Sequence, residues 1–251
     1  MTAGEETRDV AVGRPAVSLL HRDPPISPAT FFGSRAIWLP LVISVALTLA
    51  VLASHDGGRI LETIDEPVAE WIAEQRTDTW TDVFNSVSRL GDNMVVFAIG
   101  AVLAAITWRR CRYLAIAFVV AAAFRPGLEF VLKAVIDRER PDISPLGEFA
   151  GPSHPSGHPM AAAALFGLVP AFVALHTHRA WLWWVALVAS STVVVGVAAS
   201  RAYKGAHYLT DVTASLLWAS LFLLVVQAIF DRFHRDRDCR HPQHETQVDA
   251  D

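Results

Sequence analysis

Long apolar runs separated by polar stretches dominate the hydrophobic pattern of this chain. Each run is long enough, or nearly so, to cross the hydrocarbon core of a bilayer as a helix. The pattern predicts six transmembrane helices, at residues 36–53, 94–108, 113–133, 159–175, 180–199 and 212–230. We therefore expect an all-α, polytopic membrane protein.

The stretch between the first two predicted spans has a different pattern. Its apolar residues recur at helical spacing among polar ones, first at Ile64, Val68, Trp71 and Ile72, then at Trp80, Val83, Phe84, Val87 and Leu90. This amphipathic pattern predicts two short interfacial helices on the membrane surface. Packing of both helices on the transmembrane bundle is the alternative.

Composition agrees with a membrane protein. Of 251 residues, 53% are hydrophobic and 18% are charged, which is too apolar for an ordinary soluble domain. The net charge of -4 gives no sign of nucleic-acid binding. We expect residues 1–35 to form a disordered cytoplasmic tail and residues 36–230 to form a single six-helix membrane domain. Residues 231–251 are expected to form a charged cytoplasmic tail.

The distribution of Lys and Arg predicts the orientation of the chain. Twelve of the 21 basic residues fall on the side that holds both tails, eight fall on the other side, and Arg125 lies inside a helix. Because cytoplasmic loops carry an excess of Lys and Arg, we expect both termini in the cytoplasm of a plasma-membrane protein. The long loops, and the amphipathic helices over them, then lie on the extracytoplasmic face.

Three short polar clusters fall on that outer face, and they occupy residues 133–141, 155–158 and 200–211. Lys133, Arg140 and Arg201 give these clusters three fixed cations. A phosphoryl group, with negative charge spread over its oxygens, needs such a clamp. The clusters therefore predict a phosphate site at one membrane face.

Further residues of the clusters fit the same chemistry. Ser156 and Gly157 precede a predicted helix, where backbone amides and the helix dipole favour an anion and glycine permits close approach. His207 and Asp211 are four residues apart, so on one helical face the carboxylate can hydrogen-bond the imidazole and leave its other nitrogen as a nucleophile. His158 is then available to protonate the leaving oxygen.

A metal hydrolase is the rival interpretation. His154 and His158, like His207 and Asp211, have the spacing of paired metal ligands on a helix. A metal would itself neutralise the phosphate, however, and would leave the three cations with little to do. We therefore expect no metal and no cofactor.

The combined spacing is specific. The three clusters read Lys-six residues-Arg-Pro, then Pro-Ser-Gly-His, then Ser-Arg-five residues-His-three residues-Asp. This pattern resembles the three-part signature of the type 2 phosphatidic acid phosphatase (PAP2) superfamily. The positions that fill it are Lys133, Arg140, Pro141, Pro155, Ser156, Gly157, His158, Ser200, Arg201, His207 and Asp211.

The resemblance implies a metal-independent membrane phosphatase with six helices. It implies that His207 takes the phosphoryl group as a phosphohistidine, that Asp211 orients His207, and that His158 acts first as an acid and then activates water. The residues implied to hold the phosphate are Lys133, Arg140, Arg201, Ser156 and Gly157.

Some charged residues near the clusters fall outside the signature. Arg138 and His154 are candidate substrate contacts. Arg125 and Glu129 share one helical face with Lys133, and the first two predict a self-neutralising pair within the helix. We assign Lys133, at the helix end, to the phosphate site.

The expected substrate is a lipid phosphate or diphosphate whose tail remains among the membrane lipids. A polyprenyl diphosphate is favoured, and a phosphatidic-acid-like lipid comes next. A membrane phosphotransferase of the same superfamily and a non-enzymatic protein that binds or transports lipid phosphates are the alternatives. The sequence leaves the oligomeric state open.

Overall fold

The computed structural model describes residues 61–177 and 179–233, together with 42–43, 45–46 and 48–50. The regular structure of these residues is helical. From residue 61 onward the helices are α1 (Glu62–Glu74), α2 (Asp78–Ser88), a 3₁₀ turn (Arg89–Gly91), α3 (Asn93–Thr107), α4 (Arg112–Lys133), α5 (Gly157–Phe166), α6 (Val169–His176), α7 (Ala180–Tyr203) and α8 (Leu209–Phe233). The predicted N-terminal tail lies outside the described residues, as does the C-terminal tail beyond residue 233.

Within the part of the chain that the structure describes, four helical segments are long and apolar enough to cross a membrane, namely α4, α5 with α6, α7, and α8. A fifth span is obtained if α2, the 3₁₀ turn and α3 form one segment, which bends by 52°. The predicted first span, residues 36–53, falls mostly outside the described residues. The prediction of a transmembrane α-helical fold is confirmed, whereas the count of six spans stays a prediction.

The predicted fourth span is divided into α5 and α6. Pro170 has no amide hydrogen to donate back to Phe166, so the helical ladder is interrupted there. α5 is the central helix of the bundle and packs against α3, α4, α7 and α8. Its residues 161–164 are all buried alanines, and such small side chains let neighbouring helices approach closely.

The two predicted amphipathic helices correspond to α1 and α2. They pack on the bundle, since α2 runs along α7 and α1 contacts both α7 and α8. Their connection is fastened to the end of α7, where Arg76 Nε donates to the Tyr203 carbonyl at 2.8 Å and the Thr77 amide donates to the Tyr203 hydroxyl at 2.9 Å. Trp71 and Trp80 remain exposed. The interfacial position on the membrane stays a prediction.

Candidate active site

His207 lies at the centre of the site, in the short connection between α7 and α8, and its side chain is buried. Its Nδ1 is 2.7 Å from the carbonyl oxygen of Ser153. Because a carbonyl oxygen only accepts, Nδ1 carries the proton and Nε2 carries the lone pair. Nε2 is 3.2 Å from Arg140 Nη1, which donates to it. His207 therefore presents an unprotonated nitrogen beside a cation.

The charge state of His207 follows from its surroundings. Burial holds the pKa of His207 well below its ordinary value of 6.5, because the charged imidazolium would lose its hydration. Arg140 and Arg201 lower this pKa as well, while Asp211 and the Ser153 carbonyl oppose them. The imidazole is neutral at physiological pH, which is the state that a nucleophile requires.

Asp211 does not make the predicted hydrogen bond to His207. Its Oδ2 lies 4.0 Å from Nδ1 of that ring, which is too long for a hydrogen bond. The Asp211 carboxylate instead accepts from His154 Nδ1 at 3.0 Å, from Arg138 Nη1 at 2.7 Å and from the Tyr208 amide at 3.0 Å. The orienting bond to His207 comes from a backbone carbonyl, and Asp211 acts on the ring through its charge.

Arg138 and His154 both bond to Asp211, whereas the sequence predicts them as substrate contacts. His154 is fully buried against Asp211. Arg138 joins Asp211 to Asp65 of α1, whose Oδ2 is 2.7 Å from Arg138 Nη2. Burial alone would lower the pKa of Arg138, but the charges of Asp211 and Asp65 outweigh it and hold that pKa above its usual value. Arg138 is thus a fixed cation between two carboxylates.

His158 occupies the first turn of α5. Its Nε2 lies 2.8 Å from Oδ1 of Asp92, the residue at the bend between the 3₁₀ turn and α3. Gly91 makes this approach possible, because a Cβ there would lie 2.9 Å from both the Cβ and the carbonyl oxygen of His158. Asp92 is about half exposed, whereas His158 is mostly buried. The Asp92 carboxylate favours the protonated form of the ring, against the burial of the ring and the charges of Arg201 and Arg125.

The predicted cations differ in their partners. Arg201, near the end of α7, donates from Nη1 to Ser88 Oγ at 3.1 Å, and its buried Nε has no hydrogen-bond partner in the described part of the chain. Arg140 donates to four carbonyl oxygens, those of Ala150, Gly151, Pro152 and Ala206, as well as to His207. The ring of Phe149 lies 5.9 Å from one guanidinium and 5.3 Å from the other.

Lys133 belongs to the charged ladder on α4. Its Nζ is 2.6 Å from Glu129 Oε1, and Glu129 Oε2 accepts from Arg125 Nε at 2.9 Å. The self-neutralising pair predicted for Arg125 and Glu129 is confirmed, and it extends to Lys133. The ladder also packs on Gly157, where a Cβ would lie 2.1 Å from Arg125 Nε. A phosphate-binding role for Lys133 stays a prediction.

Ser156 provides a second buried polar atom without a partner. Its Oγ is fully buried and makes no hydrogen bond among the described residues, and Gly157 begins α5 directly after it. A buried polar atom without a partner is unfavourable unless a ligand or water satisfies it. The Ser156 hydroxyl and Arg201 Nε are both suited to an anion.

Sequence reasoning missed Asp65, Asp92 and Ser153. Asp65 had a detectable signal, since it shares the face of α1 defined by Leu61 and Val68, where an apolar residue is expected. Asp92 directly precedes α3, where an aspartate is common as a helix cap, so its sequence position indicates no role in the site. Ser153 acts through its carbonyl, which no side-chain motif reveals. Among the described residues, no group of three or more His, Cys, Asp or Glu is arranged to hold a metal.

Comparisons with known proteins show which family and which fold this chain is similar to. Residues 112–235 match the PAP2 superfamily. Phosphatidylglycerophosphatase B of Bacillus subtilis (strain 168) is 25% identical over 201 residues, which cover 78% of this chain and 97% of the relative. The crystal structure of a transmembrane PAP2 type phosphatidylglycerolphosphate phosphatase from Bacillus subtilis has the same fold, with a TM-score of 0.69 and 24% identity over 77% of this chain and 98% of that one. Residues 112–235 thus form a PAP2 superfamily domain, and the chain is similar to membrane phosphatases of that superfamily.

Proposed function

We propose that this protein hydrolyses a lipid phosphate through a phosphohistidine intermediate on His207. The observation that carries the proposal is the pair of contacts to that ring. The Ser153 carbonyl fixes the proton on Nδ1, so the lone pair of Nε2 is the one available to attack phosphorus. Arg140 holds Nε2 from the other side and is replaced there by the incoming phosphoryl group.

In the first step, Nε2 of His207 forms a bond to phosphorus and the bond from phosphorus to the lipid oxygen breaks. His158, with Asp92 as its partner, gives a proton to the departing oxygen. In the second step, His158 takes a proton from water, the water oxygen attacks phosphorus, and the nitrogen–phosphorus bond breaks. Inorganic phosphate leaves, and His207 returns to its neutral state.

The phosphoryl oxygens are held by cations and by the start of α5. Arg201 Nε and the Ser156 hydroxyl have no other partners among the described residues and would each donate to an oxygen. The amides at the start of α5 add partial positive charge. These groups, with Arg140, supply the charge stabilisation that a metal provides elsewhere, and the proposed reaction is metal-independent.

For the substrate, the names printed for the curated relative and for the solved structure, both from Bacillus subtilis, favour phosphatidylglycerophosphate. A lipid of this kind would keep its acyl chains beside the apolar surfaces of the spanning helices while its phosphate enters the site. Polyprenyl diphosphate, which the sequence alone favoured, and phosphatidic acid are the competing substrates. We place the site on the extracytoplasmic face, from the Lys and Arg distribution.

The test is phosphate release by the purified, detergent-solubilised protein in excess chelator. The panel contains phosphatidylglycerophosphate, phosphatidic acid and a polyprenyl diphosphate. His207→Ala should abolish release. His176→Ala is the matched control, because His176 also bonds a carbonyl, that of Phe172 at 2.8 Å, but lies at the opposite end of the α5 and α6 span.

The possible outcomes separate the alternatives. Release that survives the chelator and is lost only in His207→Ala supports the proposal, and the ranking of the panel identifies the substrate. Transfer of phosphate to an added alcohol in place of water would indicate the phosphotransferase. Lipid binding without release would indicate the transport protein, and loss of release on chelation would refute metal independence.

A further inference from the structure

One mostly buried guanidinium connects two fully buried carboxylates behind the nucleophile. Arg138 Nη1 lies 2.7 Å from Oδ1 of Asp211, and Nη2 of the same side chain lies 2.7 Å from Oδ2 of Asp65. Asp211 is 0% exposed and Asp65 is 1% exposed. Asp65 belongs to α1, outside the residues that match the superfamily, so it has no place in the three-part signature.

Asp65 is also bonded to the start of α8. The Thr210 amide donates to Asp65 Oδ1 at 3.2 Å, and the Thr210 hydroxyl donates to Oδ2. Thr210 directly precedes Asp211, so Asp65 fixes both the backbone beside that residue and the cation that binds it. A buried carboxylate is costly unless it is paired, and α1 could have packed with an apolar residue at this position. A role in the reaction would account for its presence.

We propose that Asp65 is a positioning residue for phosphoryl transfer, holding Arg138 between two carboxylates so that Asp211 keeps its negative charge beside His207. The inference rests on the proposed phosphohistidine reaction. When Nε2 bonds to phosphorus, the His207 ring, still protonated at Nδ1, becomes positively charged. The carboxylate of Asp211, 4.0 Å away, stabilises that charge. Without Asp65, Arg138 would be neutralised by Asp211 alone, and the region behind the ring would be one charge more positive.

This charge balance has a measurable consequence. The ionisable groups that face His207 or the network behind it are Arg140, Arg201, Asp211, His154, Arg138 and Asp65. Removal of one negative charge from this set lowers the pKa of His207 further, because its cationic form becomes less favourable. In Asp65→Asn we expect the acid limb of the kcat/KM profile to move to lower pH by roughly 0.5 to 1 unit.

A purely structural role gives the opposite direction. If loss of Asp65 only loosened α1, water would reach His207 and its pKa would rise toward the ordinary value of 6.5. The acid limb would then move to higher pH. Comparison of variant and wild type on one lipid phosphate cancels the titration of the substrate itself.

The experiment measures phosphate release from phosphatidylglycerophosphate, or from whichever panel lipid the wild type hydrolyses best, between about pH 4 and pH 9. Asp65→Asn keeps the shape of the side chain and an oxygen for the Thr210 amide. We expect kcat to fall roughly 10- to 100-fold with KM within about threefold, since Asp65 does not touch the phosphate. Glu66→Gln, an exposed neighbour on α1, is the matched control and should behave as wild type.

Arg138→Gln is the second variant and keeps the test decisive if Asp65→Asn does not fold. Removal of the cation leaves both carboxylates uncompensated, so its acid limb should move to higher pH. The inference would be overturned by an unchanged kcat in Asp65→Asn, or by an acid limb that moves to higher pH in that variant. It would also be overturned if the acid limb of Arg138→Gln moved to lower pH or stayed in place. If the wild type released no phosphate, or His207→Ala remained active, the proposed function itself would fail. Wild-type behaviour of Asp65→Asn with inactive His207→Ala would refute only the role of Asp65.

Discussion

Gly157→Ala tests how the charged ladder of α4 supports the phosphate site. A methyl group at this position would lie 2.1 Å from Arg125 Nε and 2.6 Å from Glu129 Oε2. Ordinary contacts begin near 3.4 Å, so the Arg125 side chain would have to retreat by more than 1 Å. Such a retreat would break its bonds to Glu129, at 2.9 Å, and to Asn93, at 2.7 Å. The charged ladder thus occupies the space that a side chain at position 157 would need.

The magnitude follows from these contacts. Overpacking of this kind costs about 1–3 kcal/mol, and loss of a hydrogen bond to a charged group costs a further ~1.5–3 kcal/mol before rearrangement recovers part of it. We expect a net destabilisation of about 2–4 kcal/mol. For a chain of this length that lowers the unfolding midpoint by roughly 4–16 °C. Helix propensity alone would have the opposite sign, because alanine is favoured over glycine by up to about 1 kcal/mol.

The assay combines thermal unfolding of the detergent-solubilised protein with phosphate release. Gly127→Ala is the matched control, since Gly127 lies on α4 two residues from Arg125 and a Cβ there meets nothing within 4 Å. It should be neutral or slightly stabilising. Gly157→Ala combined with Arg125→Ala should lose less stability than the sum of the two single changes. A Gly157→Ala protein as stable as Gly127→Ala, or strict additivity in the double variant, would refute the reasoning.

Three shorter predictions concern the chemistry. Asp92→Asn should slow phosphate release most for substrates with poor leaving groups, because an amide does not stabilise protonated His158. Equal slowing for all leaving groups would argue against an acid role for His158. Arg201→Lys should reduce kcat/KM at least about tenfold, since the planar fork toward Ser88 and the phosphate is lost, and an unchanged value would assign Arg201 to packing. Because the pKa of His207 is lowered, its active neutral form persists below pH 6.5, and kcat/KM should show no His207 limb at or above that pH.

Much of the site could be predicted because the signature residues are spaced to meet. His158 at the start of α5, Arg201 at the end of α7 and His207 before α8 lie where the loops of the bundle converge. Hydrophobic periodicity located the spans that carry them, to within a few residues. It did not detect that helicity continues to Tyr203, which places Arg201 on a helix rather than in a loop, because polar residues within a buried last turn look like a loop in sequence.

Contacts between distant parts of the chain could not be predicted in this way. Asp65 and Thr210 are 145 residues apart, and His158 and Asp92 are 66 apart, so no local spacing relates them. The i, i+4 spacing of His207 and Asp211 suggested a direct bond. The connection before α8 instead turns the ring toward Ser153, while the amide of Tyr208 and the cation of Arg138 draw the carboxylate away. Spacing limits which groups can meet, but competing partners determine which bonds form.

The three predicted phosphate cations illustrate the same limit. Sequence assigns Lys133, Arg140 and Arg201 one common task, whereas the structure gives each a different set of partners. Lys133 pairs with Glu129, and Arg140 fastens the loop carbonyls at residues 150–152 while it holds the nucleophilic nitrogen. Of these three side chains, Arg201 alone has a buried donor without a partner among the described residues. Arg201 is therefore the first contact that we expect for an arriving phosphate, and the other two cations can bind it only after their present bonds rearrange.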